Sequence, residues 1–278
     1  MGRKRFDKKF GDAFLETVPA SPGVYWWRDE TGAMLYVGKA VHLRRRIAQY
    51  RNASRLKRGR KMRDLVQRAA TLEWEICASH LDACLREIRL IQEHRPPANV
   101  AGAYSHRYPY LALAQGPRDA IRVAFVTAPE NAVDGQLFGA FRSRHVVIEA
   151  YLALVRLFRF VGHGSRAPGP RARGVYQHVF RRLPREAGEQ WSRFFRGESR
   201  AALEDLTLRL LGNASARAKA DAVQADIDAL KRFWEEEAVP LRAVITATGY
   251  ETYPVPQRER DPLFLRFRSD RLPADKAR

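Results

Sequence analysis

The chain has little that would staple it, anchor it in lipid or suit it to a basic partner. Only two of its 278 residues are cysteine, Cys77 and Cys84, too few for a disulfide framework or a cysteine-based zinc or iron–sulfur site. That usage fits a reducing cytosol. No stretch of about 18 uncharged apolar residues occurs, so a membrane span is not expected. The start, Met1 to Phe10, is charged and leads into no apolar segment, which argues against a secretory signal. A soluble, cytoplasmic protein is the expectation. Acid is scarce as well: 31 Asp+Glu stand against 50 Lys+Arg, a net charge of +19 with a pI near 10.5. Such a balance disfavours a neutral metabolic enzyme and points to a polyanionic partner. The 45% hydrophobic content nevertheless allows buried cores, so this is no disordered basic tail.

The positive charge is concentrated. Arg44, Arg45, Arg46, Arg51, Arg55, Lys57, Arg58, Arg60, Lys61 and Arg63 fall between positions 42 and 63 without one Asp or Glu. Like charges one helical turn apart repel, so an anion is expected to offset them. A second run, Arg142 to Arg200, holds thirteen Arg, four Glu and no Lys. Arginine alone suits forked contacts to phosphate, although codon bias would give the same pattern. Neither run joins an apolar helical face of the membrane-lying kind. Nucleic acid, rather than a membrane, is the expected partner.

Pro22-Gly23 opens a strand over Val24 to Arg28, and Asp29-Glu30-Thr31-Gly32 turns it into a second, Ala33 to Val37. Helical patterns follow near 41–50 and 60–70, then a strand-like alternation from Leu72 to Ile76. A helix from Leu81 to Glu93 must end before Pro96-Pro97. The first hundred residues thus read β-β-α-α-β-α, a small α+β domain. Beyond it lie strand patterns at 110–114 and 121–126 and an apolar helical run at 146–158. Two long helical patterns, 186–211 and 214–237, are divided by Gly212-Asn213. The acidic end of the second suggests a different surface, such as one for a protein partner. Pro254, Pro256, Pro262 and Pro273 make the last thirty residues read as an extended tail.

The hairpin carries Gly23-Val24-Tyr25 on one strand and Tyr36-Val37-Gly38, followed by Lys39, on the next. Taken singly, each tyrosine is also a favoured strand residue; together with Lys39 they suggest chemistry. Arg46 and Tyr50 lie one helical turn apart and share a face. On the helix from Leu81, Glu87 borders the apolar stripe Leu81, Cys84, Leu85, Ile88 and Ile91. A carboxylate there needs either an ion-pair partner or a metal. Asn99 would ordinarily be a turn residue.

These residues resemble a known family. Pro22 to Tyr25, Leu35 to Ala40, Leu43 to Arg46, Glu87 and Asn99 match, in order and spacing, the GIY-YIG nuclease domain, and among its members the N-terminal half of bacterial excinuclease C. Weaker similarity continues through Ser105 to Tyr110, Leu137 to Phe141 and Phe194 to Glu198, to about residue 235. The resemblance implies an α+β chain: a GIY-YIG sheet-and-helix nuclease domain at 18–102, a small α+β linking segment at 103–165, a mostly helical hairpin region at 166–245 and the extended tail at 246–278. It implies a metal-dependent DNA endonuclease of nucleotide excision repair, with Tyr36 as general base favoured by Lys39. Tyr25 would orient the water or Tyr36, Arg46 would grip the scissile phosphate with Tyr50 in support, and Asn99 would tie its helix end into the site. Glu87 would hold a single Mg²⁺ or Mn²⁺. Arg44, Arg45, Arg51, Arg55, Lys57, Arg58, Arg60, Lys61 and Arg63 would track double-stranded, damaged DNA, placing the protein at the nucleoid when it acts.

Some positions depart from the family. Near 161–180, where a cysteine cluster is usual, this chain has His163, His178 and arginines, so no iron–sulfur cluster is expected. The hairpin implies excinuclease B as a loader, yet the chain reads Arg217 to Ala222 and Gln224 to Ile227 where a Phe-Glu pair and Arg-Asp are usual. The family's second nuclease has no counterpart, so one incision rather than two is expected. Two other readings of the same residues stand beside this one: a catalytically poor DNA-binding scaffold, and a nuclease acting on foreign or structured nucleic acid outside repair.

Overall fold

The computed structural model describes residues 3–53, 59–99, 108–116, 120–131, 135–164, 173–184 and 186–270. They divide into two compact units, Met1–His106 with Phe264–Arg278, and Arg107–Leu263. Among the described residues no helix is long and apolar enough to cross a membrane.

The first unit opens with two short helices, α1 (Arg5–Phe10) and α2 (Phe14–Thr17). Strands β1 (Gly23–Arg28) and β2 (Met34–Ala40) form the expected hairpin. Its turn is held by the Asp29 carboxylate, which accepts from the Thr31 and Ala33 amides at 2.9 and 3.0 Å, while Gly32 supplies the positive φ of 82°. Helices α3 (Leu43–Arg51) and α4 (Arg60–Arg68), strand β3 (Thr71–Ile76) and helix α5 (His80–His94) complete the unit. Ser79 caps α5 by accepting from the Asp82 amide at 3.1 Å. The sheet order is β2-β1-β3, antiparallel throughout. One face packs Tyr25, Trp27, Leu43, Ile47, Tyr50 and Phe6; the other packs Val24, Met34 and Val37 against Ala83, Leu90 and Ile91 of α5. The β-β-α-α-β-α order agrees with the sequence pattern, to which the structure adds α1 and α2.

The second unit is built on a five-stranded antiparallel sheet, order β6-β4-β5-β8-β7. Its strands are β4 (Tyr110–Gly116), β5 (Ala120–Val126), β6 (Gln136–Phe138), β7 (His163–Gly164) and β8 (Val175–Arg181). Helix α6 (Arg144–Val161) buries Val147, Tyr151, Leu154 and Phe158. The helices α7 (Ala187–Phe195), α8 (Ala201–Gly212), α9 (Ala214–Arg217) and α10 (Ala220–Phe233) follow, then a π-helical turn at Trp234–Ala238 and α11 (Val239–Thr248).

Three expectations are corrected here. The helical pattern at 186–211 is two helices, because Gly197 takes φ +71° and a side chain there would stand 2.6 Å from the Ala238 carbonyl. The acidic end of the 214–237 pattern is not all surface: Glu237 is 4% exposed and caps α6 by accepting from the Arg142 and Ser143 amides at 2.6 and 2.8 Å. The tail is not extended throughout, since α12 (Gln257–Ser269) is helical despite Pro262. Its buried Leu263, and the Tyr108 hydroxyl donating to Asp261 at 2.6 Å, hold the helix in place. Strands β6 to β8 carried no readable pattern, being short or following the Gly/Pro/Arg stretch.

Candidate active site

The site grows from the β1–β2 pairing. Tyr25 lies opposite Gly38 and Trp27 opposite Tyr36, so these four share one face; Val24 and Lys39 pair on the other. Both glycines are needed for close approach. A Cβ on Gly38 would sit 2.5 Å from the Tyr25 hydroxyl and 2.9 Å from the Tyr36 ring, and one on Gly23 would sit 2.3 Å from the Glu75 carbonyl of β3. The Tyr25 ring thus lies directly over Gly38 on β2.

The Tyr25 ring is wholly buried. Its hydroxyl meets that of Tyr50 at 2.9 Å and accepts from Arg46 Nε at 3.0 Å. Burial, reinforced by Tyr36 and only partly offset by Arg46 and Tyr50, pushes the Tyr25 phenol up to about 12. Burial, with Tyr25 and Tyr36 behind it, pushes Tyr50 higher still. Both stay protonated at neutral pH and serve as hydrogen-bonding groups. Arg46 also lies 5.8 Å above the Tyr50 ring and donates to Gln49 at 2.5 Å.

On the other face Lys39 Nζ reaches Glu87 Oε2 at 2.6 Å. Half-burial opposes the ammonium charge, but the hydrogen bond and charge of Glu87 outweigh it, so the Lys39 pKa is raised. The carboxylate bordering the apolar stripe of α5 therefore has its partner, on β2. Tyr36, half-buried on β2 three residues before Lys39, shares the face of Tyr25. Its ring lies 6.2 Å from that of Tyr25, with Lys61 Nζ 5.3 Å above it.

Asn99 acts on the backbone. β2 is an edge strand, and the Asn99 side chain accepts from Val37 N and donates to Val37 O, both at 2.8 Å. The Ala98 amide donates to Leu35 O at 3.1 Å. Residues 98–99 thus hold the strand that carries Tyr36 in place.

Glu87 could hold a cation. Among the described residues no group of three His, Cys, Asp or Glu is placed to hold a metal ion, so an ion there would have one carboxylate and otherwise water and phosphate. That donor set suits Mg²⁺, which keeps several waters and takes one or two carboxylates.

The basic residues separate. Arg44 Nε donates to Val18 O at 2.7 Å, tying α3 to the preceding loop. Arg51 pairs with the buried Asp7 at 2.6 Å. Lys61 donates to Ala98 O at 2.8 Å beside Tyr36. Arg45 and Arg60 are exposed, and Arg63 lines a cleft with α1. Arg55, Lys57 and Arg58 lie outside the described residues.

Residues 21–100 match the family model for the UvrC-like GIY-YIG domain. They form a UvrC-like GIY-YIG domain. The chain is 31% identical over 237 residues to UvrABC system protein C of Nitratidesulfovibrio vulgaris, which covers 84% of this chain and 33% of that protein. It is 27% identical over 249 residues to the same protein of Kocuria rhizophila, covering 81% of this chain and 35% of the relative. The chain therefore spans about a third of the length of these relatives. Among solved structures, the magnesium-bound N-terminal endonuclease domain of UvrC from Thermotoga maritima is similar at 29% identity and a TM-score of 0.29, covering 36% of this chain and all of that one. Tyr25, Tyr36, Lys39, Arg46, Tyr50, Glu87 and Asn99 all lie within the 21–100 match. Sequence reasoning missed the N-terminal helices that complete the core of this domain, although Phe6, Phe10 and Phe14 recur every four residues, an apolar stripe at helical spacing.

Proposed function

We propose that the GIY-YIG domain hydrolyses one phosphodiester bond of double-stranded DNA with a single Mg²⁺ or Mn²⁺ at Glu87, and that the chain incises damaged DNA in nucleotide excision repair. The observation that carries this reading is the position of Tyr36 on β2, its ring 6.2 Å from that of Tyr25 and three residues before Lys39, which pairs with Glu87 at 2.6 Å. Tyr36 is the one tyrosine of the three that is not buried, and it takes the proton from the attacking water. Lys39, paired with Glu87 Oε2 at 2.6 Å, orients that carboxylate beside the site. Arg46, fixed by Tyr25, neutralises charge at the phosphate. Tyr50 fixes Tyr25 in turn, and Asn99 keeps β2 from shifting. Glu87 would hold the cation, which would supply charge stabilisation for the leaving oxygen. The names of the relatives support a repair role, with excinuclease B as the loader to be tested.

Nicking of supercoiled plasmid, with and without ultraviolet damage, in Mg²⁺, Mn²⁺ or EDTA, tests the reading. Wild type should nick only with metal and prefer damaged plasmid, while Tyr36→Phe and Glu87→Ala lose nicking but keep DNA binding. Nicking in EDTA, or by Glu87→Ala, would refute the one-metal mechanism. Wild type that stays inactive with metal and with excinuclease B added would make the chain a scaffold.

A further inference from the structure

The basic start of the chain has no part in the reaction derived above, yet it is built onto the same domain. Helix α1 is fastened by its aromatic side: Phe6 is 2% exposed, and the rings of Phe6 and Phe10 lie 6.4 and 5.8 Å from Trp27 of β1. Asp7, 4% exposed, faces inward and holds Arg51 at 2.6 Å. The opposite side of the segment is cationic. Arg3, Lys4, Arg5 and Lys8 meet Arg51 and Arg63 around a cleft of about 650 Å³ that has no carboxylate in its lining. A shallower cleft of about 240 Å³ continues it along Arg5, Lys8 and Lys9.

Three features say what fits there. Asp12 and Asp7 answer Arg3 and Arg51, while Lys4 and Arg5 donate to the uncharged Asn52 and Gln67 side chains, so the cleft keeps an excess of positive charge that an entering anion would relieve. Tyr50 lies in the same wall, and its hydroxyl is the one bonded to Tyr25, so the cleft abuts the tyrosine network. The apolar groups at its base, Phe6, Tyr50 and Val66, are buried, so the surface offers a lipid bilayer nothing to take up. The cleft is also too large and too highly charged for a single phosphate.

We propose that this cleft seats the sugar–phosphate backbone of the DNA flanking the scissile bond, which makes residues 3–9 part of the DNA-binding surface. The proposal rests on the nuclease reading and adds to it a second wall, outside the 42–63 basic run, that positions the duplex without reading sequence.

The test is the salt dependence of binding to a short duplex, measured by fluorescence anisotropy in EDTA so that nothing is cut. Arg5→Gln with Lys8→Gln removes two exposed cations and leaves the aromatic anchor intact. Its slope of log affinity against log salt should be shallower than wild type by about 1.8, at about 0.9 per lost phosphate contact. At about 0.1 M salt that corresponds to a loss of up to about 60-fold, from the same slope. The charge-matched control Arg217→Gln with Lys219→Gln should leave the slope unchanged. An unchanged slope in the first variant, or an equal change in the control, would overturn the proposal. Failure of wild type to nick in metal, with excinuclease B added, would sink the nuclease reading and leave this measurement standing on its own.

Discussion

Replacing Gly38 with alanine asks whether the two tyrosines are held at a working distance by a missing side chain. The new Cβ would meet the Tyr25 hydroxyl at 2.5 Å and its Cζ at 2.6 Å, against an ordinary contact of about 3.5–4.0 Å. About 1 Å of relief is therefore needed. The Tyr25 ring cannot retreat, since it is wholly buried and packed against Tyr50 with ring centroids 5.9 Å apart. Overpacking of this kind costs about 1–3 kcal/mol, which for a domain of this size lowers Tm by roughly 5–20 °C. A displacement of about 1 Å in the catalytic constellation costs about 100-fold in rate. The assay is single-turnover nicking alongside a thermal melt and DNA affinity: rate and Tm should fall while affinity holds. Gly212→Ala, where a Cβ meets nothing within 4 Å, is the neutral control. A Gly38→Ala protein that nicks within about threefold of wild type would refute the argument, because the threshold lies far below the 100-fold expected.

Asn99→Ala should cost about 2–4 kcal/mol in denaturant unfolding, because it strands the buried amide and carbonyl of Val37; Asn99→Asp should lose at least as much, since its carboxylate faces the Val37 carbonyl. Glu87→Gln should abolish Mn²⁺ binding measured by electron paramagnetic resonance while leaving the melting curve of the second unit unchanged; retained binding would place the ion elsewhere. Alkaline stability follows from Tyr25. Its folded value of about 12 exceeds the ordinary 10, so its contribution is intact below pH 10 and is lost as pH rises through 12, on the order of 2–3 kcal/mol. Unfolding free energy should therefore fall between pH 10 and 12, and Tyr25→Phe should flatten that fall; an identical slope in the variant would show that Tyr25 is not its source.

Much of the first domain was readable because its signals are local. Asp29 to Gly32 specify a turn, and Pro96-Pro97 stop a helix. The paired Gly-Val-Tyr and Tyr-Val-Gly triplets announce themselves by spacing. Apart from the phenylalanine stripe of the N-terminal helices, what escaped notice depends on contacts distant in sequence. That Lys39 would answer Glu87, 48 residues away, or that Asn99 would grip Val37, cannot be read from the neighbourhood of either. The break at Gly197 is set by the Ala238 carbonyl, several helices further on. Arg44 reads like its neighbours as a phosphate contact, yet its guanidinium is engaged by the Val18 carbonyl. Composition reports how much charge there is, and only packing decides which charges face outward.

The position of β2 at the border of its sheet has a consequence for how the chain reaches this state. An uncovered border strand is a template for another polypeptide, and β2 is apolar over Met34, Leu35 and Val37. The covering segment is Ala98 and Asn99, beyond α5 and far later in the chain than the strand itself. During synthesis β1 and β2 emerge and pair well before their cover does. Refolding at high concentration should accordingly lose material to intermolecular β-pairing through β2, and a chain cut short before Pro96 should aggregate where a chain continued past Asn99 does not.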